Sequence, residues 1–520
     1  GYESLKALTT GQANTAIGYQ SLDAEDDGDY STAVGYQALT AQTGTTGTVG
    51  NTAVGYQAAA ALTSATSTTA IGYKAGGTGI MTGSDNTLIG RAAGYALVGG
   101  DSNTIVGFEA GLATTAGTNM TIIGRRAGYA NLESGAAGTV ALGYESCYSL
   151  TSGANNTGIG YRTLKALVGG AGNTAVGREA GTAVSSGSNN NCFGYGAGVA
   201  INTGASNIMI GKNAGDSATS ANQNVIIGQN AGHTLTDTDA CVLIGHDAGK
   251  VINHADAIGN VNIGESSGVG ITTGANNTLV GRHTGLNLTT GDTNVAMGYL
   301  AFGQSGAPAN TGSGNVAIGH LAHADARGAT AYSTIIGQAA GAALTTGQNN
   351  LFLGHDAGVT GSPGGNKTTG SSDIVLGDEN IDQANIQVDW TVASDKRDKT
   401  DVKDLDLGLE FVNKLTPVTY KWDKRSKYID KHDLNVDLDN VTADGTHKED
   451  WLDVGFLAQD VAEIEASYNY KISDKTNLTT TLSDDGKQYG TKYAKFVPML
   501  VKAVQELSKQ VEDLKKQIGS

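Results

Sequence analysis

Ser394 and Lys399 are the residues whose types and spacing most directly indicate chemistry. A serine hydroxyl is a weak nucleophile until a base removes its proton, and a lysine serves as that base when desolvation or nearby cations lower its pKa. Lys396 and Arg397 supply cations close by in the sequence. A serine five residues before a lysine is a weak signal by itself, and an ordinary charged linker is the alternative.

The pair lies at a sharp change in composition. Residues 1–393 contain 39 charged residues, whereas the much shorter segment 394–520 contains 44. All three tryptophans lie at or after this boundary, at Trp390, Trp422 and Trp451. The change predicts two different regions, with a processing site where they meet.

Overall composition excludes several classes of protein. The chain has 520 residues, 76 of them glycine but only four proline, which excludes collagen. A formal charge of −17 argues against nucleic acid and anionic membranes as partners, and no apolar run is long enough to span a membrane. Three widely spaced cysteines indicate small apolar fillers rather than a disulfide framework. Because the chain opens inside a repeat, we expect a missing N-terminal region that carries any targeting or anchoring segment.

Residues 1–377 repeat around a central glycine, as at Gly177 in Asn-Thr-Ala-Val-Gly-Arg-Glu-Ala-Gly. Fourteen of the 21 intervals between these glycines equal 17 residues, and the other seven are all longer. A stacked coil can extrude a loop but cannot lose residues, so the asymmetry favours a solenoid. The central glycines are residues 1, 18, 35, 55, 72, 90, 107, 124, 143, 160, 177, 194, 211, 228, 245, 264, 281, 298, 319, 337, 354 and 377.

The residues before each central glycine predict a strand that is apolar on both faces. The residue directly before the glycine, Val176 in this coil, is always apolar. The residue two positions earlier, Thr174, is mostly Thr, Val or Ile, and the residue between them, Ala175, is almost always apolar. One face can fill the interior of a coil, where we place Val176, and the other needs a second chain. The pattern predicts a mainly β fold, a parallel β-solenoid of 17-residue coils with two or three short strands each, and an oligomer.

Two further positions predict columns along the stack. Asparagine lies four residues before the glycine in 14 of 21 coils, where stacked side chains can form amide ladders. The residue after the glycine is often Tyr or Arg and should face solvent, where it could stack on sugar rings or form a protective stacking ladder. His246, His320 and His355 share this column but lie whole coils apart, so we expect no metal and no cofactor. The acidic stretch 23–29 is interpreted as a solvated loop rather than a cation site.

Inserted loops are the expected places for recognition, because loops on a rigid frame commonly carry function. The longest intervals are 35–55, 298–319 and 354–377. The loop 302–310 is the first choice for a receptor contact, and it predicts Tyr299, Phe302 and His320 as contact residues.

Two families resemble parts of the chain. The Thr-Ala-Val-Gly unit resembles the head repeat of trimeric autotransporter adhesins, a left-handed parallel β-roll. The segment 394–399 resembles the start of the self-cleaving intramolecular chaperone of phage tail spikes and fibres, first associated with endosialidases. Four later segments also resemble that chaperone, in the same order along the chain: residues 409–422, 455–461, 493 and 498–507.

The chaperone resemblance implies an activity and an assembly. It makes Ser394 the nucleophile and Lys399 the base of a Ser-Lys dyad that acts once in cis, cutting between Ala393 and Ser394. It implies a solenoid shaft over 1–377, a junction over 378–393 and an α+β chaperone domain over 394–520. The product would be a homotrimeric virion fibre or appendage, made in the host cytoplasm, whose shaft has no turnover activity. Its partners would be a host surface glycan or protein and, through the missing N-terminal region, other virion proteins. A tailspike depolymerase and a bacterial trimeric adhesin are the alternatives.

The last segment predicts a coiled coil independently. Apolar residues alternate three and four apart, which forms an a/d seam. Valine at a with leucine at d is associated with dimers, whereas the resemblance implies a trimer, and packing within one chain is a further alternative. The seam consists of Val497, Leu500, Val504, Leu507, Val511, Leu514 and Ile518.

Overall fold

The computed structural model of the chain describes residues 1–43, 47–77, 79–304, 306–387, 390–429 and 437–519. These residues divide into two units, Gly1–Gly314 and Asn315–Ser520. In the parts of the chain that are described, no helix is both long and apolar enough to cross a membrane.

The first unit is a stack of three-residue parallel strands, one for each coil. Successive strands pair in register, so that Thr174, Ala175 and Val176 lie opposite the equivalent residues of the next coil. The strands are Thr15–Ile17, Thr32–Val34, Thr52–Val54, Thr69–Ile71, Thr87–Ile89, Thr104–Val106, Thr121–Ile123, Val140–Leu142, Thr157–Ile159, Thr174–Val176, Asn191–Phe193, Ile208–Ile210, Val225–Ile227, Val242–Ile244, Val261–Ile263, Thr278–Val280 and Val295–Met297, with an extra parallel pair Gly28–Asp29 and Gly47–Thr48 and a 3₁₀ turn Ser134–Ala136. The parallel β-solenoid is therefore confirmed.

The prediction of two or three strands in each coil holds only where the second strands Gly28–Asp29 and Gly47–Thr48 occur, and the other described coils of this unit have one strand each. After each strand the chain turns through residues with positive φ, as at Gly177 (127°), Glu179 (61°) and Gly181 (58°). Such left-handed residues cannot continue an extended strand, so the rest of the coil consists of turns.

The central glycines set the spacing of the stack. A Cβ atom added to Gly177 would lie 2.6 Å from the carbonyl oxygen of Gly194 in the next coil. The same close approach recurs at Gly18, where the distance to the Gly35 oxygen would be 2.3 Å. Only glycine tolerates both this contact and the positive φ, which explains why the column is invariant along the repeat.

The coil interior is formed by the middle residue of each strand, which corrects the assignment of Val176. Ala175, Leu243 and Phe352 are completely buried, whereas the residue before the glycine points outward and is 37% exposed at Val54. In a three-residue strand the two end residues share a face, so the Thr and Val columns lie together on the outer face. The free thiols of Cys147, Cys192 and Cys241 are buried, as expected for apolar fillers, and burial raises the pKa of Cys147 to about 12.

The predicted asparagine ladder is present inside the stack. Asn173 Nδ2 donates to Asn156 Oδ1 at 3.1 Å, and Asn190 Nδ2 donates to Asn173 Oδ1 at 3.1 Å. Each amide also donates to a carbonyl of the next coil, as from Asn173 Nδ2 to Gly187 O at 2.9 Å. The buried amides are thereby satisfied, so the column stabilises the register without leaving unpaired polar groups.

The second unit begins with four parallel strands of the same kind and continues into an α+β region. Helix α1 (Leu409–Lys414) packs against α3 (Phe496–Ile518), and the buried core consists of Leu407, Phe411, Val461, Phe496 and Met499. The elements are strands Val316–Ile318, Thr334–Ile336, Leu351–Leu353 and Ile374–Leu376, α1 Leu409–Lys414, the antiparallel pair Val418–Tyr420 and Asp453–Gly455, α2 Ala458–Ser467, the hairpin Thr480–Leu482 and Tyr489–Thr491, and α3 Phe496–Ile518, with 3₁₀ turns at Lys396–Asp398, Arg425–Tyr428, Leu438–Asn440 and Tyr493–Lys495.

Gly177→Ala tests the glycine column. A side chain there must occupy a glycine-only conformation, which costs about 1–3 kcal/mol, and must also displace the backbone of the next coil. Gly169→Ala is the matched control, because its Cβ would meet only Ser152 Oγ at 3.6 Å. We expect thermal unfolding to shift clearly downward for Gly177→Ala and little for Gly169→Ala. Equal melting temperatures would contradict the role of the column.

Candidate functional site

Ser394 and Lys399 are brought together by the short 3₁₀ turn Lys396–Asp398. Asp395 begins the turn, and its Oδ1 accepts a hydrogen bond from the Arg397 backbone N–H at 2.9 Å. The turn reverses the chain, so that Lys399 Nζ lies 2.6 Å from Ser394 Oγ and donates to it. A base can therefore reach the serine proton directly.

The electrostatic surroundings of the pair differ from those expected. Arg397 forms an ion pair of 2.6 Å with Asp395, and this guanidinium holds the pKa of the Asp395 carboxyl below its usual value. The charge of Arg397 is thus compensated by Asp395, so its expected role as a cation acting on Lys399 is not supported. Both Ser394 and Lys399 are exposed in the single chain, whereas a lysine that acts as a base is normally desolvated.

A buried carboxylate on α2 holds the hairpin 480–491, and sequence reasoning missed it. Glu465 on α2 is completely buried. It accepts hydrogen bonds from the backbone and hydroxyl of Thr479 at 2.6 and 2.8 Å, and from the backbone and hydroxyl of Thr480 at 3.3 and 2.5 Å. Four donors compensate the charge and attach the hairpin to α2. Spacing gave no signal, because Thr479 and Thr480 lie outside the segments that carry the family resemblance.

Helix α3 has two apolar faces. Phe496, Met499 and Ala503 are buried, and the first two belong to the core of the unit. The predicted seam lies on the other face, where its residues from Val497 to Ile518 are 41–83% exposed. The alternative that this seam packs within one chain is therefore wrong for the described residues.

Comparison with known protein families supports the assignment of this region. Residues 394–470 match the family described as chaperone of endosialidase. The region is an endosialidase-type chaperone domain. Its match begins at Ser394 and includes the predicted segments 409–422 and 455–461. With the solenoid, the domain indicates a protein of the phage tail fibre or tailspike type, a virion appendage. No curated protein and no solved structure matches the chain.

The outward column of the shaft is a stacking ladder. The rings of Tyr19, Tyr36 and Tyr56 stack with centroids 5.2 Å apart, and Arg91 lies over the rings of Tyr73 and Phe108. Neighbours cover both faces of the internal rings. Because sugars stack on exposed ring faces, this arrangement favours the protective ladder over a sugar-binding column.

The predicted receptor residues are placed differently from one another. Tyr299 is 41% exposed and His320 is exposed, but Phe302 is completely buried, so its assignment as a receptor contact is corrected. Asn310 at the end of the loop is also buried, and its N–H donates to Asn287 O at 2.8 Å. Phe302 and Asn310 therefore belong to the coil, and the exposed insertion is limited to the residues between them. Ser305 in this loop lies outside the described residues.

The insertion in the interval 354–377 contacts the chaperone domain. Lys367 Nζ lies 2.9 Å from Asp484 Oδ2, and the Asn366 N–H donates to Asp485 Oδ2 at 3.3 Å. Lys424 Nζ donates to the backbone oxygen of Glu379 at 2.5 Å. This insertion, expected to be a place for recognition, therefore contacts the turn of the hairpin 480–491 in the same chain.

Proposed function

We propose that the chain forms a trimeric phage tail fibre or appendage for attachment to a host surface, and that its chaperone domain cuts itself off before Ser394. The observation that carries the proposal is the 2.6 Å contact between Lys399 Nζ and Ser394 Oγ, at the first residue of the family match. The exposed apolar seam of α3 and the outward apolar column of the shaft support association of identical chains.

The position of the cut fixes the chemistry of the proposed step. Lys399 takes the hydroxyl proton, and Ser394 Oγ attacks the carbonyl carbon of Ala393, the residue directly before it. The C–N bond breaks, the nitrogen takes a proton, and an ester joins Ala393 to Ser394 Oγ. Water then hydrolyses this ester to leave a carboxylate on Ala393 and a free amine on Ser394.

Assembly would supply what the single chain lacks at this site. The seam residues lie in water here, and burying them against two other copies would bring three chaperone domains together. We infer that neighbouring domains then cover Lys399 and favour its neutral form. Cutting would follow assembly, and loss of the domain would remove the reverse route to unfolding.

Processing is tested by expressing the whole chain and its variants. We expect fragments of about 393 and 127 residues, the small one beginning at Ser394, because the dyad cuts before it. Ser394→Ala and Lys399→Ala should stay intact yet folded, and Lys403→Ala, an exposed lysine outside the pair, should cut normally. A small fragment with a different first residue, measured by N-terminal sequencing, would refute the dyad assignment.

Assembly is tested at the seam with Leu507→Asp. A carboxylate buried between three helices costs several kcal/mol, so we expect analytical ultracentrifugation to show loss of trimers. Gln505→Asp introduces the same group outside the seam and should leave the trimer intact. Leu507 is not part of the domain core, so the monomer should still fold. Unchanged trimers in Leu507→Asp would argue against the seam.

Attachment is tested by deleting Gln304–Ala307, which returns the interval 298–319 to 17 residues and spares the buried Phe302 and Asn310. We expect trimerisation and cutting to persist, and binding to host cells or to a glycan array to fall, because Tyr299 loses its neighbouring loop. If the shortened fibre binds as well as the parent, this loop is not the receptor site. Release of reducing sugars from host polysaccharide would instead support the depolymerase.

A further inference from the structure

The last coil of the shaft brings together three metal-ligating side chains that lie far apart in the sequence. His355 and Asp378 follow consecutive central glycines, so they occupy the same column in adjacent coils, and Asp356 is the next residue after His355. The ligand atoms of the three lie within 4.8 Å of one another. The sequence predicted no metal here because the histidines of this column lie whole coils apart. The contact instead joins one histidine to two aspartates across an interval of 23 residues.

The distances fit coordination better than direct pairing. His355 Nδ1 lies 3.4 Å from Asp356 Oδ2 and 3.4 Å from Asp378 Oδ2. Both separations exceed the length of a charge-assisted hydrogen bond, about 2.7–2.9 Å. Ligands bound about 2.1 Å from a tetrahedral ion lie roughly 3.4 Å apart. By contrast, His233 Nδ1 lies 2.6 Å from Asp216 Oδ1, which is a direct contact with one carboxylate.

Burial and orientation also favour a bound cation. Asp356 is 2% exposed and Asp378 is 5% exposed, so two carboxylates are withdrawn from water beside one imidazole. Asn380 donates from its backbone N–H to Asp378 Oδ1 at 2.9 Å and from Nδ2 to Oδ2 at 2.8 Å, and these hydrogen bonds orient the carboxylate toward a bound ion. His355 is exposed, which leaves a path for an ion to enter.

We propose that His355, Asp356 and Asp378 bind a Zn²⁺-type divalent cation at the end of the shaft. One nitrogen and two carboxylate oxygens suit such a borderline ion, whereas Ca²⁺ and Mg²⁺ prefer oxygen ligands alone. The cation joins the strand Ile374–Leu376 to the preceding coil across the longest interval of the repeat. It therefore stabilises the last coil of the repeat.

The test uses the full chain, stripped of metal with a chelator and titrated with Zn²⁺ alone by calorimetry. We expect one ion per chain and a higher melting temperature with Zn²⁺. His355→Gln and Asp378→Asn should each weaken binding at least as much as the roughly 10–100-fold that loss of a second-shell partner costs. His233→Gln, which alters a histidine paired with a single carboxylate, should bind normally.

Co²⁺ absorption and Zn²⁺ binding by the variants show whether the ion is held at His355 or elsewhere. Co²⁺ should give the intense visible absorption of a tetrahedral site in the parent and not in His355→Gln. Because the His355 side chain is exposed, circular dichroism should show that this variant keeps the parent fold. Among the residues that the structure describes, Glu25, Asp26 and Asp27 form a second cluster that could hold an ion, and Zn²⁺ bound there would not depend on His355. Zn²⁺ binding that His355→Gln and Asp378→Asn leave unchanged, or no Zn²⁺ binding by the parent, would overturn the proposal.

Discussion

The close contact between glycine backbones of adjacent coils is the constraint on which the shaft depends. At Gly177 the approach leaves no room for a Cβ atom, and the positive φ turns the chain out of the strand at the same residue. One residue type therefore fixes both the distance between coils and the direction of the corner. Every other column inherits this spacing, which is why like residues stack in register over so many coils.

Because the spacing is fixed, polar groups can be buried at low cost. The amides of Asn156, Asn173 and Asn190 hydrogen bond to one another and to carbonyls of the following coil. A coil shifted by one residue would leave these groups unpaired inside the stack, where each would cost about 1–3 kcal/mol. The ladder therefore opposes slippage, to which a parallel stack of short and similar strands is otherwise prone.

Much of the shaft could be predicted because it repeats. The period, the parallel stack and the asparagine ladder follow from positions that recur in almost every coil. The direction of Val176 could not be predicted, because a strand with apolar residues on both faces does not indicate which face is the interior. Phe302 was misplaced because the sequence does not show where the coil ends and the inserted loop begins. Glu465 and the group around His355 depend on contacts between distant segments, which no local pattern reveals.

The same reasoning explains why the chaperone domain lies where it does. The strand Ile374–Leu376 ends the stack, and an end strand offers unpaired backbone groups to any other chain. Beside this strand, polar contacts join Lys367 and Asn366 to the hairpin 480–491, and Glu379 to Lys424. Such polar contacts are individually weak, because water competes for each of them, so the proposed cut would leave the domain weakly held. An interface of this kind suits a partner that is needed during assembly and can leave afterwards.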